Sequence, residues 1–270
     1  VGLLGLGLAA CNLVPDFGRK PPIVLAGERQ NVLEEKPPLA PAPELEGLEV
    51  ILPSAVALKD WAQVGGFADH APLHARLGQQ VKPAWRASVG EGKSRFHRLL
   101  NAPIIADGIL FTMDTDSTVY ALDAQTGKRL WTLPLRDKAE KDIGFSGGLA
   151  AAGGSLFAAT ATGQLLALDG RTGKTLWQQN IAAPLRAAPT VADGRVYVVS
   201  HDNRLSVFTA LDGTLVWTHS GIEESLGLLQ GAAPAVAEGA VVVAYSSGEI
   251  YALKADNGDF LWQESLGVAA

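Results

Sequence analysis

The sequence predicts an all-β fold, a β-propeller of four-stranded antiparallel blades, on two observations. First, a stretch that ends in tryptophan recurs along the chain, at residues 119–131, 165–177, 205–217 and 250–262. The spacings between these tryptophans are 46, 40 and 45 residues, and a repeat of about 40–45 residues is typical of propeller blades. Second, each repeat alternates apolar and polar residues and shows no helical period.

Each repeat is predicted to contain four short strands joined by turns. In the third repeat the strands are "APTVA", "RVYVVS", "LSVFTA" and "TLVWTH", separated by Asp193-Gly194, by "HDNR" and by Asp212-Gly213. Asp-Gly between alternating runs is a strong hairpin signal, because such turns need a positive φ that glycine adopts without steric cost. Each repeat is therefore expected to form one blade.

Tryptophan and glycine hold fixed positions in the repeats and are predicted to be structural. The tryptophans are Trp85, Trp131, Trp177, Trp217 and Trp262, and the glycines, four residues before the last four of these, are Gly127, Gly173, Gly213 and Gly258. A single blade exposes both of its faces, and only a neighbouring blade can bury them. We expect each indole to dock between adjacent blades, where such a ring buries roughly 150–250 Å². A ligand cage is the alternative interpretation of these tryptophans.

Composition and charge argue against several kinds of site. The chain has 270 residues, a net charge of −6 and no run of lysine or arginine, so no nucleic-acid partner is expected. Cys11 is the only cysteine, which leaves no intrachain disulfide and no cysteine-based metal site within these residues. His70 and His74 are four positions apart, but Pro72 lies between them and no third ligand is evident, so they are interpreted as surface histidines.

Polar residues between the strands are interpreted as turn residues, because short polar side chains cap the local backbone there. They are Asp114, Asp116, Asp202 and Asn203. The sequence Thr-Gly-Lys at residues 126–128 and 172–174 could suggest a phosphate loop, but its recurrence with the hairpin makes it a turn. No catalytic residue, cofactor site or metal site is predicted.

Residues 1–11 have the features of a lipoprotein signal. The run "VGLLGLGLAAC" is apolar and uncharged, and it is shorter than the about 20 residues that a membrane-spanning helix needs. Its last four residues resemble a bacterial lipobox, which makes Cys11 the predicted site of acylation, for example by palmitate; a buried free cysteine is the alternative. Residues 12–58 are rich in proline and are predicted to form a tether, or a disordered tail without a spacing role.

Two repeats carry the pattern Leu-Asp-x-x-Thr-Gly-Lys-x-x-Trp, which resembles the repeat of pyrroloquinoline-quinone-type propellers. Within that superfamily the chain is similar to the BamB family of lipoproteins. The similarity depends on the repeats, the lipobox, "DWAQVGGFADHAPLH" at residues 60–74 and "KPAWRASVG" at residues 82–90. That family has eight blades, and its amino-terminal strand completes the last one. The resemblance implies a partial propeller over residues 59–270 with four to five of eight blades, a strand at residues 82–89 that belongs to the closing blade, and about four further repeats in the intact protein.

The resemblance also implies a function, that of a non-catalytic scaffold without a cofactor. Such a scaffold docks on the periplasmic domains of BamA, can contact nascent outer-membrane proteins, and faces the periplasm from the outer membrane, held by its lipid anchor alone. Asn12 after the acylated cysteine agrees with outer-membrane sorting. In the family a Leu-x-Leu-Arg loop contacts BamA; here Leu226 and Leu228 match the leucines, while Leu229 replaces the arginine. This leaves a more apolar loop, whose leucines alternatively pack against the neighbouring blade.

Two other functions remain open. A pyrroloquinoline-quinone-dependent dehydrogenase shares the superfold, but it uses a vicinal cysteine pair and a Ca²⁺ site. The sequence has a single cysteine and no acidic cluster at calcium-loop spacing. A generic periplasmic adaptor or sensor is the other alternative, and it would bind partners other than BamA.

Overall fold

The computed structural model describes residues 43, 47–90, 92, 94–95, 97–99, 101–136, 147–224 and 231–266. The chain divides into two units, and the second, which begins at Leu52, contains all strands of the described residues. None of the described residues forms a helix with the length and apolar character that a membrane crossing requires.

The strands of the described residues form four antiparallel four-stranded sheets, which we call blades 1 to 4. Blade 1 consists of β1 (Ile104–Ala106), β2 (Ile109–Met113), β3 (Thr118–Asp123) and β4 (Arg129–Pro134). Blade 2 consists of β5 (Gly148–Ala152), β6 (Ser155–Ala159), β7 (Gln164–Asp169) and β8 (Thr175–Asn180). Blade 3 consists of β9 (Thr190–Ala192), β10 (Arg195–Ser200), β11 (Arg204–Thr209) and β12 (Leu215–Ser220). Blade 4 consists of β13 (Ala235–Ala237), β14 (Ala240–Ala244), β15 (Glu249–Lys254) and β16 (Phe260–Ser265).

The blades are arranged as in a propeller. Within each blade the strands pair in chain order. The first strands of successive blades lie beside one another, β1 next to β5, β5 next to β9 and β9 next to β13, so these are the innermost strands. The structure therefore confirms the predicted all-β class and the four-stranded blades.

The apolar cores lie between successive blades. Phe111, Ala121 and Trp131 are direct cross-strand partners on one face of blade 1, and they pack in one cluster with Leu156 and Leu168 of blade 2. Equivalent clusters join blade 2 to blade 3 and blade 3 to blade 4. Burying a leucine in this way contributes roughly 1.5–3 kcal/mol. Each blade thus depends on its neighbours for its core.

The tryptophan of a fourth strand docks on the turn between the third and fourth strands of the next blade. The indole N–H donates to a carbonyl of that turn in three pairs: Trp131 to Gly170 (3.0 Å), Trp177 to Ala210 (3.0 Å) and Trp217 to Ala255 (3.3 Å). Trp85 makes the same contact with blade 1, where its Nε1 donates to the Ala124 carbonyl over 3.1 Å. These four indoles therefore occupy equivalent places.

The repeat glycines lie against these indole rings. The pairs are Trp85 with Gly127, Trp131 with Gly173, Trp177 with Gly213, and Trp217 with Gly258. A Cβ atom on any of these glycines would lie 2.5–2.9 Å from a ring carbon, closer than side chains approach each other. Glycine is therefore required at this position because the docked tryptophan leaves no room for a side chain.

The two Asp-Gly turns of blade 3 differ from each other. Asp193 and Gly194 both have positive φ, +48° and +72°, as in the two-residue turn that the sequence predicts. At the second turn only Gly213 has a positive φ, and its N–H donates to the Thr209 carbonyl over 3.0 Å. This turn is longer and is preceded by a register shift in β11, and it places Gly213 against the indole of the previous blade.

Residues 82–89 are not part of any of the four described blades, and their place in a closing blade stays a prediction. The segment is nevertheless fixed to blade 1, because the Trp85 indole docks on its turn and the Arg129 guanidinium donates to the Ser88 carbonyl over 2.7 Å. Both contacts run from a side chain to a backbone carbonyl, and the segment lacks a sheet partner of its own among the described residues.

Candidate protein-docking rim

The two faces of the blades carry different loops. On the turn face, first-to-second-strand turns meet third-to-fourth-strand turns; in blade 1 the Ala124 N–H donates to the Gly108 carbonyl over 2.9 Å. On the opposite loop face, second-to-third-strand loops meet the links between blades. In blade 3 the Gly221 N–H of a link donates to the Asn203 carbonyl over 2.8 Å. We call the loop-face residues 199–203, 221–224, 231–232 and 244–248 the candidate rim.

A cavity of about 160 Å³ opens in the candidate rim between blades 3 and 4. Its lining combines Val199, Ala244 and Tyr245 with the polar residues Arg186 and His201. Burial lowers the pKa of Arg186 and of His201, and the positive charge of Arg186 lowers that of His201 further. An apolar cavity of about 150 Å³ can hold a benzene ring, so this one has room for one large side chain.

Asn203 fastens the loops that surround this cavity. The residue is only 3 % exposed, with a φ of +56°. Its Nδ2 donates to the Ile222 carbonyl over 2.6 Å, and its Oδ1 accepts from both the N–H (3.1 Å) and the hydroxyl (3.0 Å) of Ser246. One buried side chain therefore joins the loop of blade 3, the following link and the loop of blade 4.

An aromatic cluster lies beneath the rim at the same junction. The ring of His219 is parallel to that of Tyr245 at 5.9 Å and lies 4.6 Å from that of Tyr251. His219 Nδ1 and the Tyr245 hydroxyl are 2.9 Å apart. Burial lowers the pKa of His219, and the nearby Glu249 carboxylate acts in the opposite direction. Burial also raises the pKa of Tyr245 well above its ordinary value, so both side chains are neutral at neutral pH.

Glu249 completes the cluster as a carboxylate that is only 6 % exposed. It accepts hydrogen bonds from the Ile222 N–H and from the hydroxyls of Ser247 and Tyr251, each over 2.9 Å. Burial alone would raise the pKa of Glu249, but these bonds outweigh it and the pKa is lowered. The charged carboxylate of Glu249 thus joins the link between blades 3 and 4 to blade 4 through hydrogen bonds, which favours a well-ordered surface.

The residues that the sequence predicts for partner binding and lipidation cannot be placed. Leu226, Leu228 and Leu229, and also Cys11, lie outside the described residues. Glu224 and Gly231, the described residues on either side of the leucines, are exposed and belong to the candidate rim.

The histidines of the amino-terminal segment contact separate groups. His74 Nδ1 lies 2.7 Å from the Pro53 carbonyl, while the N–H of His70 donates to the Phe67 carbonyl over 3.1 Å. Within the part of the chain that the structure describes, no group of three or more His, Cys, Asp or Glu side chains is placed to hold a metal.

Asp114 caps its turn by accepting from the Thr118 N–H over 2.8 Å.

Neither Glu249 nor His219 is predicted from the sequence as a site residue. Glu249 stands at the first position of a third strand, where the other blades have Thr118, Gln164 and Arg204. A carboxylate at this position of the repeat is the signal that could have identified the junction.

A family model described as "Outer membrane protein assembly factor BamB" matches residues 115–270, more than half of the chain. The chain belongs to the BamB family. The match contains blades 2, 3 and 4 in full, so the candidate rim lies within the BamB-like region. A second model, described as "Glucose/ethanol/alcohol dehydrogenase, beta-propeller domain", matches residues 66–148.

Individual relatives agree with this assignment to the BamB family. BamB of Escherichia coli is 33 % identical over 143 residues, which are 53 % of this chain and 27 % of that protein. BamB of Yersinia pestis is 29 % identical over 139 residues, 50 % of this chain and 35 % of that protein. Quinoprotein alcohol dehydrogenase PedE of Pseudomonas putida is 43 % identical over 53 residues, 20 % of this chain and 8 % of the enzyme. The matches thus span about a third or less of each relative.

Solved structures show the same fold. BamB from Moraxella catarrhalis aligns with a TM-score of 0.54 at 20 % identity, over 63 % of this chain and 50 % of that one. Quinohemoprotein alcohol dehydrogenase ADHIIG from Pseudomonas putida HK5 aligns with a TM-score of 0.61 at 18 % identity, over 76 % of this chain and 40 % of that one. The propeller is therefore shared between the BamB family and the dehydrogenases, and the fold does not decide between their functions.

Proposed function

We propose that this chain is part of a non-catalytic scaffold for outer-membrane β-barrel assembly that docks on the periplasmic domains of BamA through the candidate rim. The protein would be anchored to the outer membrane by acylated Cys11 and would face the periplasm. In this role the blades supply a fixed surface to a partner, and no chemical step is involved.

One observation carries this proposal: the BamB match covers blades 2 to 4, which include the whole candidate rim. The rim supports docking physically. Asn203 in the rim and Glu249 beneath it are buried and hydrogen-bonded within the protein, so they hold the surface in place. The adjoining cavity offers one pocket for a large side chain, the type of contact that dominates protein interfaces.

The proposal is tested with purified chain and the purified periplasmic domains of BamA. Leu226→Glu combined with Leu228→Glu introduces two charges into the sequence between Glu224 and Gly231, and it is expected to weaken binding at least about tenfold, or 1.4 kcal/mol. Leu211→Glu is the matched control, because Leu211 is 89 % exposed in a turn of the turn face; binding should stay unchanged. Equal affinity of both variants, or no binding of the parent chain, would contradict docking through this rim.

A quinone-dependent dehydrogenase is the second candidate, favoured by the 43 % identity to PedE over a short stretch. The residues present do not fit this cofactor set. The sequence holds one cysteine, and the described residues contain no group of acidic or histidine side chains that could hold a metal. Incubation with pyrroloquinoline quinone and Ca²⁺ should produce neither an absorbance shift nor dye reduction.

A generic periplasmic adaptor is distinguished by its partners. Isolation of the protein from membranes should recover BamA under the proposed function, and recovery of other proteins without BamA would favour the adaptor.

A further inference from the structure

The segment at residues 60–68 runs along the inner edges of all four blades. Each innermost strand pairs with the second strand of its own blade and leaves its other edge open within the sheet. Unpaired edges of this kind readily accept another extended segment. The open edges here are met by the stretch that begins "DWAQVGG".

Every blade donates one equivalent backbone N–H to this segment. In each innermost strand the donor is the residue just before the last one. The four bonds run from Ile105 to the Trp61 carbonyl (2.9 Å), from Ala151 to the Ala62 carbonyl (2.7 Å), from Val191 to Gln63 Oε1 (2.9 Å) and from Val236 to the Ala68 carbonyl (2.7 Å). The Trp61 N–H also donates to the Ile105 carbonyl over 2.7 Å. The segment therefore binds the blades in their chain order.

Gln63 makes the contact with blade 3 through its side chain. The residue is 7 % exposed, and its Nε2 donates to the Val191 carbonyl over 3.2 Å while its Oε1 accepts from the Val191 N–H. A carboxamide has one donor group and one acceptor, like a peptide unit. Gln63 thus continues the pairing to a strand that the backbone of the segment does not reach.

The segment also enters the cores at both ends of the stack. Ala62 packs against the cluster between blades 1 and 2, and Ala68 packs against the cluster between blades 3 and 4. Between them, Gly65 and Gly66 have positive φ of +74° and +88°, and a Cβ on Gly66 would lie 2.9 Å from the Trp61 ring. The segment is therefore a folded element with contacts to blades that are not neighbours in the stack.

We propose that residues 60–68 are an axial strap that converts the stack of blades into one cooperative unit, with Gln63 as the positioning residue for blade 3. In a stack of repeats each module contacts only its neighbours, and modules can unfold separately. The strap adds a shared element that contacts blades 1, 2, 3 and 4 together. Opening any one blade then disturbs the contacts of the others. This proposal is independent of docking and of BamA.

The test is residue-resolved amide hydrogen exchange on the full 270-residue chain. In the parent chain the core amides of β2, β6, β10 and β14 should exchange through one common opening, with similar protection. In Gln63→Ala the amides of β9 and β10 should lose at least about tenfold in protection relative to those of β2. Gln63→Glu keeps the acceptor but not the donor, and it should lose less.

Gln179→Ala is the matched control. Gln179 Nε2 donates to the Gly213 carbonyl over 3.0 Å. Gln179→Ala therefore also truncates a hydrogen-bonded glutamine, but at the contact between neighbouring blades 2 and 3 and away from the strap. It should lower the protection of all blades together. The proposal is overturned if Gln63→Ala behaves like Gln179→Ala, or if the parent chain already shows separate openings for separate blades.

Discussion

At the residue scale, the two turn glycines of blade 3 are constrained in different ways. Gly194 and Gly213 both have positive φ, which disfavours any side chain. A Cβ on Gly194 would meet nothing within 4 Å, whereas one on Gly213 would lie 2.7 Å from the Trp177 ring. Gly213 is therefore restricted by both its backbone and its neighbour.

This difference gives a paired prediction. Gly213→Ala should lower the free energy of unfolding by about 2–4 kcal/mol, because it combines backbone strain with overpacking. Gly194→Ala should lower it by about 1 kcal/mol through backbone strain alone. Urea unfolding of both variants checks this, and equal losses would show that the indole contact adds nothing.

His219 gives a prediction about pH. Because burial lowers its pKa, the unfolded chain binds this proton more tightly than the folded one. His219 therefore leaves the free energy of unfolding unchanged above the ordinary histidine pKa of about 6.5. It lowers the free energy of unfolding as the pH drops from there through the lower pKa of the folded state. The groups that face the ring are Tyr245, Tyr251 and Glu249.

The variant His219→Gln isolates this effect from those of His70 and His201, whose pKa values burial also lowers. Urea midpoints of the parent chain and the variant are compared at about pH 7.5 and about pH 5.5. The variant should lose less stability on acidification. An identical loss in both proteins would exclude His219 as a source of the pH dependence.

At the element scale, the docked tryptophans should differ according to what lies beside them. Trp177 donates to blade 3 and its ring lies 5.9 Å from that of Phe157, so Trp177→Ala should cost about 3–5 kcal/mol. Trp262 is 46 % exposed in the present chain, and Trp262→Ala should cost less than about 1 kcal/mol. Denaturant unfolding of the two variants checks this, and similar losses would argue against docking between blades as the role of the indole.

The elements that the sequence predicts well are those with local signals. The blades follow from alternation and turn residues, and Asp193-Gly194 forms the expected turn because its geometry depends on two adjacent residues. The strap could not be predicted, because Gln63 and Val191 are 128 positions apart. Residues 82–89 resemble a strand of the other repeats, and Trp85 docks on blade 1 although this segment has no sheet partner in the described part of the chain.

The candidate rim was only partly predictable for the same reason. Asn203 is identifiable as a turn residue, but its bonds to Ile222 and Ser246 join separate elements. The buried state of Glu249 depends on a link and on Tyr251. Contacts between blades thus decide the chemistry of residues whose local sequence indicates only a loop or a strand end.

At the scale of the whole molecule, different surfaces have different roles. Indoles and apolar strands join neighbouring blades, and the strap joins all four along the inner edge. The loop face between blades 3 and 4 then remains as a hydrogen-bonded, partly apolar surface with a cavity of about 160 Å³. This surface belongs to the part of the chain that matches the BamB family.

The most direct test of the docking claim is a hydrogen-exchange footprint of the chain with and without the periplasmic domains of BamA. We expect added protection at residues 199–203, 221–232 and 244–248. Residues 123–128 and 210–214 of the turn face should exchange as before. Protection confined to the turn face, or no change anywhere, would contradict the account.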